Sequence, residues 1–299
     1  MEARKPSAPH FYAGDCARMA DRFLQGFVAP PEPARVVAGI VPHAGWQYSG
    51  AVAAKVFASI SAKARPTTFV IFGAVHRWAG INGVYARGAW TTPLGAVAVD
   101  EALAARILEE TPEWTVDEPK AHSGEHSIEV ELPFVKYLFP EARVVPIAVN
   151  PDSRAVPLGQ RIGEIVKRLG ATVVFIGSSD LTHYGDVYGF TPAGFGPRAH
   201  RWMQDNDQRI LRLVEQMKAA EIPEEAQRHS NACGAGAIAA TVAAARVLGV
   251  ERGFVLEHTT SYDVVPDGEF RMAVGYAGVV FGAVGGAVGG AAGSGVGAA

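Results

Sequence analysis

Three histidines in this sequence each follow closely after an apolar run. The runs and their histidines are residues 36–41 with His43, 69–72 with His76, and 172–176 with His183. Short runs rich in β-branched and aromatic residues, bounded by Gly or Pro, are typical of buried strands. If the three strands lie parallel in an open α/β sheet, their carboxyl ends share the edge where such folds bind ligands. The sequence therefore predicts that three imidazoles converge on one crevice, as in a metal site or an acid–base site.

The third histidine has an acidic neighbour. Asp180 precedes His183 by three residues, in a polar loop that follows the third strand. A carboxylate at this spacing can accept a hydrogen bond from the imidazole and fix its tautomer. We therefore predict that His183 serves as an acid–base group and that Asp180 orients its ring. The alternative is that Ser179 and Asp180 only cap a turn.

The second cysteine of the sequence lies close to the start of a predicted helix. Cys233 follows Ser230 and Asn231, either of which is a suitable N-cap for the Ala-rich stretch that runs to residue 248. A cysteine in the first turn of a helix experiences the positive end of the helix dipole. This lowers the thiol pKa and favours the thiolate that binds metals. The alternative is that Cys233 is a small buried apolar residue.

A further cluster suggests a different chemistry. His122, Glu125 and His126 match the H-x-x-E-H pattern, in which two helical histidines bind zinc and the glutamate activates water. The serine and glycine between them fit poorly inside a helix, so a zinc metallopeptidase is a minor alternative. The other interpretation is a helix over residues 125–138, bent at Pro133, whose polar face lines the pocket.

Composition and charge argue against several classes of protein. The chain has 299 residues, 48% of them hydrophobic, and a formal net charge of −3, with basic residues interspersed. This charge pattern argues against nucleic-acid binding. The longest apolar run, residues 232–245, is too short to span a bilayer, and residues 1–15 lack the apolar core of a signal peptide. Two cysteines cannot form a disulfide framework, so we expect a cytoplasmic protein.

Predicted strands alternate with predicted helices along nearly the whole chain. This order predicts a single α/β domain over residues 1–281, with a central, largely parallel sheet flanked by helices. Residues 282–299 contain only Gly, Ala, Val and one Ser. Such a segment has little side-chain surface to bury and much entropy to lose, so we expect it to be a disordered tail.

Several motifs resemble, in content and in order, those of one protein family. They are FYAGD at 11–15, HAGWQYSG at 43–50, the His76 loop, EHSIEVELPF at 125–134, SSDLTHYG at 178–185 and NACG at 231–234. With these motifs the chain resembles the Memo family, the bacterial "AmmeMemoRadiSam system protein B" group. That family is similar to the LigB-type class III extradiol dioxygenases, which implies the same α/β fold around a central sheet.

The resemblance implies a role for each candidate residue. In those dioxygenases two histidines and a glutamate bind Fe(II), and another histidine acts as acid–base. His43 and His76 match the two histidine ligands, and Cys233 matches the position at which Memo proteins replace the glutamate. His183 matches the acid–base histidine, accompanied by Asp180. A thiolate widens the choice of metal beyond Fe(II), so we expect iron first, copper second and zinc third.

The function implied by the resemblance is that of a protein with a mononuclear metal site. We expect either an O₂-dependent dioxygenase or oxidoreductase acting on an unidentified small molecule, or a non-enzymatic metal-binding or interaction protein that reuses the fold. Bacterial genes of the family commonly neighbour genes for a radical SAM protein and an AMMECR-type protein, which implies these two as partners. No nucleic-acid partner and no membrane partner is expected.

Overall fold

A nine-stranded sheet forms the centre of the structure, which is a computed structural model that describes residues 3–12, 14–77 and 80–283. Its strands, together with those of a smaller sheet of three, are numbered in chain order: β1 Ala3–Arg4, β2 Arg35–Val41, β3 Thr68–Gly73, β4 Asn82–Val84, β5 Ala89–Thr92, β6 Gly95–Ala98, β7 Thr115–Asp117, β8 Arg143–Ala148, β9 Val173–Ser178, β10 His183–Tyr184, β11 Gly253–Thr260 and β12 Ala273–Ala283. The helices are α1 Cys16–Leu24, α2 Trp46–Lys63, α3 Glu101–Glu110, α4 Leu132–Leu138, α5 Ala155–Leu169, α6 Pro197–Glu215, α7 Ile222–His229, α8 Ala235–Val247 and α9 Ser261–Val264.

The central strands of the large sheet run parallel. β2, β9, β3 and β8 lie side by side in that order, and each neighbouring pair is parallel. Every residue of β3 and β9 is buried, as expected for strands that are covered on both faces. This arrangement confirms the predicted α/β fold with a largely parallel sheet flanked by helices.

Two glycines show which helices cover the two faces of the sheet. A Cβ on Gly39 of β2 would lie 2.7 Å from Val56 of α2, whereas a Cβ on Gly177 of β9 would lie 2.6 Å from Thr241 of α8. Gly39 pairs with Ile176, the neighbour of Gly177 in β9, and successive residues of a strand point to opposite faces. Helices α2 and α8 therefore pack on opposite faces of the sheet, and at these two points only glycine fits beneath them.

The antiparallel strand β12 extends one side of the parallel sheet. It pairs with β2, β11 and β10, and its last two residues, Gly282 and Ala283, lie opposite Val36 and Arg35 of β2. The predicted start of the tail at residue 282 is therefore wrong by two residues, because β12 continues to pair there. The rest of the predicted tail, residues 284–299, lies outside the described residues.

Two predicted helices begin later than expected. Residues 125–131 form neither helix nor strand, and α4 begins only at Leu132, because Pro133 in its first turn starts this helix instead of bending a longer one. Helix α8 begins at Ala235, so Cys233 precedes the helix instead of lying in its first turn. Both differences lie in segments that reach the predicted site.

Helix α8 is buried on all sides from its start to residue 245. It packs on the sheet and against α5, whose Gly159 and Gly163 face it. Because these glycines carry no Cβ, the two helix backbones approach closely. Within residues 3–12, 14–77 and 80–283, no helix is both long and apolar enough to cross a membrane.

We expect Gly159→Ala to destabilise the fold by about 2 kcal/mol, because the added Cβ would lie 2.2 Å from the carbonyl oxygen of Ala240 in α8. Gly163→Ala on the same helix is the matched control, since its Cβ would lie 3.0 Å from the carbonyl oxygen of Ala244. Both variants gain about 1 kcal/mol of helix propensity. The difference between their free energies of unfolding therefore reports how closely α5 approaches α8 at Gly159. Urea unfolding measures it, and equal stabilities of the two variants would contradict the described packing of α5 on α8.

Candidate metal centre

Three neighbouring strands bring the candidate residues to one edge of the sheet. β2, β9 and β3 are adjacent and parallel, so the loops that follow them, with His43, Asp180 and His76, emerge on the same side. Cys233 reaches this edge from the loop before α8. One potential ligand atom from each of His43, His76 and Cys233 lies within 4.8 Å of the other two. The structure thus brings together the three residues that the sequence resemblance names as ligands.

The ring of His43 is held in one tautomer by two successive hydrogen bonds. The Ser178 hydroxyl donates to the carbonyl oxygen of Ser127 at 2.6 Å, so its oxygen accepts from Nδ1 of His43 at 2.8 Å. Nε2 keeps its lone pair and lies 3.2 Å from the sulfur of Cys233. Burial lowers the pKa of His43 well below its ordinary value, and three neighbouring imidazoles lower it further. A neutral imidazole with a free Nε2 is the form that binds a metal.

His76 is oriented by a buried carboxylate. Both oxygens of Glu125 lie 3.0 Å from Nδ1 of His76, and this hydrogen bond raises the pKa of His76. The carboxylate also accepts the backbone N–H groups of His76, His126 and Ser127. Burial alone would raise the pKa of Glu125, but the hydrogen bonds from His76 and Ser127 hold it below its ordinary value. Glu125 therefore fixes the proton on Nδ1 and leaves Nε2 of His76 for a metal.

Cys233 is held by the loop that carries Asp180. Its backbone N–H donates to the carbonyl oxygen of Asp180 at 3.2 Å, and the N–H of Gly234 donates to Oγ of Ser179 at 2.9 Å. Burial raises the pKa of the Cys233 thiol, and the nearby Asp180 carboxylate raises it further. The predicted lowering of this pKa by a helix N-terminus is therefore wrong, because the residue precedes α8 and burial dominates. A cation bound at the sulfur reverses this preference, since a coordinated thiol is deprotonated.

Asp180 and His183 lie at the same edge, but in the described structure no hydrogen bond joins their side chains. Oδ1 of Asp180 accepts the backbone N–H of His43 at 2.7 Å, and Nδ1 of His183 donates to the carbonyl oxygen of Leu181 at 3.1 Å. The prediction that Asp180 orients the ring of His183 is therefore wrong. Asp180 instead fixes the backbone of the His43 loop, and burial raises the pKa of its carboxyl group.

Helix α6 supports two of the site loops from behind. The fully buried Asp207 accepts the backbone N–H of Thr182 at 2.9 Å, and Asn206 donates to the Thr182 hydroxyl at 3.1 Å. Asn231, in the loop before α8, donates to the carbonyl oxygen of Asn206 at 3.0 Å. Two adjacent residues of α6 therefore set the distance between the loop of His183 and the loop of the cysteine.

One more histidine belongs to the cluster. The ring of His126 stacks on that of His76, with centroids 5.0 Å apart and planes inclined by 11°, and stands at 90° to that of His43 at 5.3 Å. Burial lowers the pKa of His126. The sequence suggests this residue only as a peptidase ligand or as part of a pocket-lining helix. His126 does line the cavity, but from a segment that is not a helix. In the sequence, only its position next to the acidic residue Glu125, which holds the His76 ring, could have indicated that it lies beside His76.

The structure does not support paired zinc ligands at His122 and His126. His122 ends a short 3₁₀ helix and is fully buried, with Nε2 donating to the carbonyl oxygen of Gly83 at 3.0 Å. Its ring packs edge-on against Tyr85 and Trp90, and burial lowers the pKa of His122 to about 4. The zinc-peptidase hypothesis is therefore wrong, because the segment is not a helix that presents both imidazoles on one face.

The imidazoles open onto a cavity of about 680 Å³. Its wall includes four imidazoles and three carboxylates, namely those of His43, His76, His126, His183, Asp180, Asp267 and Glu269. Aromatic side chains form much of the rest, namely Phe11, Tyr48, Tyr188, Tyr262 and Tyr276. Arg271 also lines the cavity, so aromatic, acidic and basic groups all face it. A cavity of this size with apolar walls and convergent polar groups suits a small organic ligand.

Comparisons with known proteins show the family and the fold of the chain. A family model described as "Memo-like protein" matches residues 4–280. The MEMO1 family protein TK1477 of Thermococcus kodakarensis is 35% identical over 288 residues, which cover 92% of this chain and 97% of that protein. The MEMO1 family protein PF1638 of Pyrococcus furiosus is 34% identical over 294 residues, which cover 94% and 99%. The crystal structure of uncharacterized protein JW3007 from Escherichia coli K12 is similar in fold, with a TM-score of 0.54 at 13% identity over 83% of this chain and 100% of that chain.

A buried carboxyl group near the site lacks a partner. Glu131, directly before α4, is fully buried, and neither of its oxygens has a hydrogen-bond partner within the described part of the chain. Burial raises the pKa of Glu131 well above its ordinary value, and the charge of Asp180 raises it further. The fold therefore favours the protonated form of Glu131.

We expect Glu131→Gln to stabilise the protein at neutral and alkaline pH. A carboxyl group whose pKa is raised on folding contributes its stability below its unfolded pKa, and that contribution is lost as the pH rises through the folded value. The neutral amide removes this loss, so the gain in free energy of unfolding should grow with pH and vanish at about pH 4. Urea unfolding at several pH values measures it, with exposed Glu109→Gln as control. A gain that does not depend on pH would contradict the assignment.

Proposed function

The chain belongs to the Memo-like protein family, and on that basis we propose that it binds one metal ion through His43, His76 and Cys233. One observation carries the proposal: hydrogen bonds to Nδ1 of both rings leave each Nε2 free, and that of His43 lies beside the sulfur. Two imidazoles and a thiolate form a donor set of borderline to soft character. We propose iron as the metal, with copper second and zinc third.

The residues present fit such an ion. Their potential ligand atoms already lie within 4.8 Å of one another, and in each ring the hydrogen bond at Nδ1 leaves Nε2 as the nitrogen that can bind the ion. Glu125 does not compete as a ligand, because its oxygens accept N–H groups from the surrounding turn. The proposed set therefore consists of three protein ligands, which leaves further positions on the ion for other groups.

For the reaction we propose O₂-dependent oxidation of a small organic molecule held in the cavity. When bound, the metal supplies the redox chemistry and open coordination positions that such a reaction needs. His183 is the proposed acid–base group. Because its Nδ1 donates to the carbonyl oxygen of Leu181, Nε2 is the atom that takes up or releases a proton. The aromatic side chains of the cavity offer apolar surface to a bound ligand.

A second candidate is a non-enzymatic protein that binds a metal or a partner. It is favoured by Cys233, because the non-haem iron oxygenases that activate O₂ commonly use a carboxylate with two histidines. For either candidate, a radical SAM protein and an AMMECR-type protein are the proposed partners, and the cytoplasm is the proposed location.

Removal of the three proposed ligands should empty the site. We expect the protein purified without oxygen to carry about one metal ion per chain and the triple variant His43→Ala, His76→Ala, Cys233→Ala to carry none, since all three donors are lost. His229→Ala, which removes an imidazole that bonds Arg209 outside the cluster, is the control and should retain the metal. Elemental analysis measures the content. Unchanged metal in the triple variant would refute the proposed site.

Replacement of His183 should separate metal binding from turnover. We expect His183→Ala to keep most of its metal and to lose turnover, because the acid–base group is removed while the three ligands remain. O₂ consumption by the Fe(II)-loaded protein, screened against catechols and aminophenols, is the measurement. If His183→Ala empties the site as fully as His43→Ala, then His183 is a ligand. If metal-loaded wild type consumes no O₂ with any of these compounds, the non-enzymatic candidate is favoured.

A further inference from the structure

One arginine near the start of the chain reaches the segment that carries Glu125. Arg4 belongs to β1, which pairs with β5 so that Arg4 lies opposite Trp90. Its guanidinium lies over the Trp90 ring, 4.0 Å from the centroid, and its side chain is only 10% exposed. A stacked, nearly buried guanidinium is fixed in position, and its donors need partners inside the protein.

Most of these donors are directed at residues 122–129. Nη2 of Arg4 donates to the carbonyl oxygens of His122 and Glu125 at 2.8 Å each, and Nη1 donates to Oε2 of Glu129 at 2.8 Å. Residues 123–131 form neither helix nor strand, so their backbone polar groups depend on partners of this kind. The rigid fork of a single guanidinium therefore defines the path of this segment.

The same segment supports one of the proposed ligands. Arg4 holds the carbonyl group of Glu125, whose carboxylate in turn holds Nδ1 of His76. His126, the next residue, stacks on the His76 ring. A shift of the backbone at Glu125 therefore displaces both the hydrogen-bond acceptor and the stacking partner of His76.

We propose that Arg4 is a positioning residue of the metal centre and that it acts on His76 through Glu125. The inference rests on the proposed function, because it names the residue that keeps a proposed ligand in place. It gives the N-terminal segment a part in metal affinity as well as in stability.

Glu129 makes this inference testable by substitution. Its buried carboxylate accepts the backbone N–H groups of Ser7 and Ala8 at 2.7 Å each and the hydroxyl of Tyr12 at 3.2 Å, besides its ion pair with Arg4. These three bonds still anchor the N-terminal segment when Arg4 is replaced. A substitution at Arg4 therefore removes its contacts with the carbonyl oxygens without releasing the segment.

The test is metal binding by the full chain, with Co²⁺ alone as the probe because its absorption spectrum reports thiolate and imidazole ligation. We expect Arg4→Gln to weaken Co²⁺ binding about tenfold, the low end of the loss seen when a group that supports a ligand is removed. Arg246→Gln is the matched control, since this arginine donates to the carbonyl oxygen of Met217 at the far end of α8, and it should leave the affinity unchanged. Arg4→Lys keeps the positive charge beside Glu129 but lacks the guanidinium fork, so its Co²⁺ affinity should lie between those of the wild type and Arg4→Gln. If Arg4→Gln does not fold, Arg4→Lys replaces it in the test.

A double-variant cycle separates positioning from general destabilisation. In a His76→Ala background, Arg4→Gln should weaken Co²⁺ binding by less than about twofold. In a Cys233→Ser background, Arg4→Gln should weaken Co²⁺ binding about tenfold, as it does in the wild type. Equal losses in both backgrounds and in the wild type, or no loss in the wild type, would overturn the inference. If the wild type itself binds no Co²⁺, the proposed function fails and the inference fails with it.

Discussion

The register of three parallel strands is the constraint on which the site depends. Val41 at the end of β2 pairs with Ser178 at the end of β9, and the neighbouring strand β3 is aligned so that Phe72 lies beside Gly177. A slip of one residue would turn every side chain of a strand to the opposite face. It would also move Ser178 away from the ring of His43, whose tautomer it fixes. The strand register is set by how the buried strand faces pack under α2 and α8. This packing therefore determines where the loops that follow β2, β3 and β9 meet.

Local sequence signals are sufficient to predict the sheet and the convergence of histidines. Runs of β-branched and aromatic residues predict β2, β3 and β9, and short loops after them leave the histidines near the sheet edge. Most hydrogen-bond partners of those histidines cannot be predicted in the same way, because they lie far away in the sequence. Asp180 lies three residues from His183, yet its carboxylate accepts the backbone N–H of His43, which is 137 residues away in the sequence. Spacing along the chain indicates only hydrogen bonds between residues that are close in sequence.

Two further differences have the same physical origin. A helix over residues 125–138 agrees with local propensity, but this segment is tied by side chains to residues near the start of the chain, so tertiary contacts override propensity there. The sequence neighbours of Cys233 indicate a helix terminus with a lowered thiol pKa, whereas burial, which depends on the whole fold, raises this pKa. The protonation states in the site are thus properties of the assembled structure.

A stretch of three residues, 125–127, determines the orientation of both imidazoles. The carboxylate of Glu125 holds His76, and the carbonyl oxygen of Ser127 accepts the hydroxyl that holds His43. Because this stretch lies outside the helices and strands, no ladder of backbone hydrogen bonds protects its amides, and a local opening requires no helix or strand to unfold. Such an opening releases both rings together. In the proposed metal centre, the rate of ion exchange would therefore be linked to the hydrogen-exchange protection of this segment, and not to the strength of the individual ligand bonds alone.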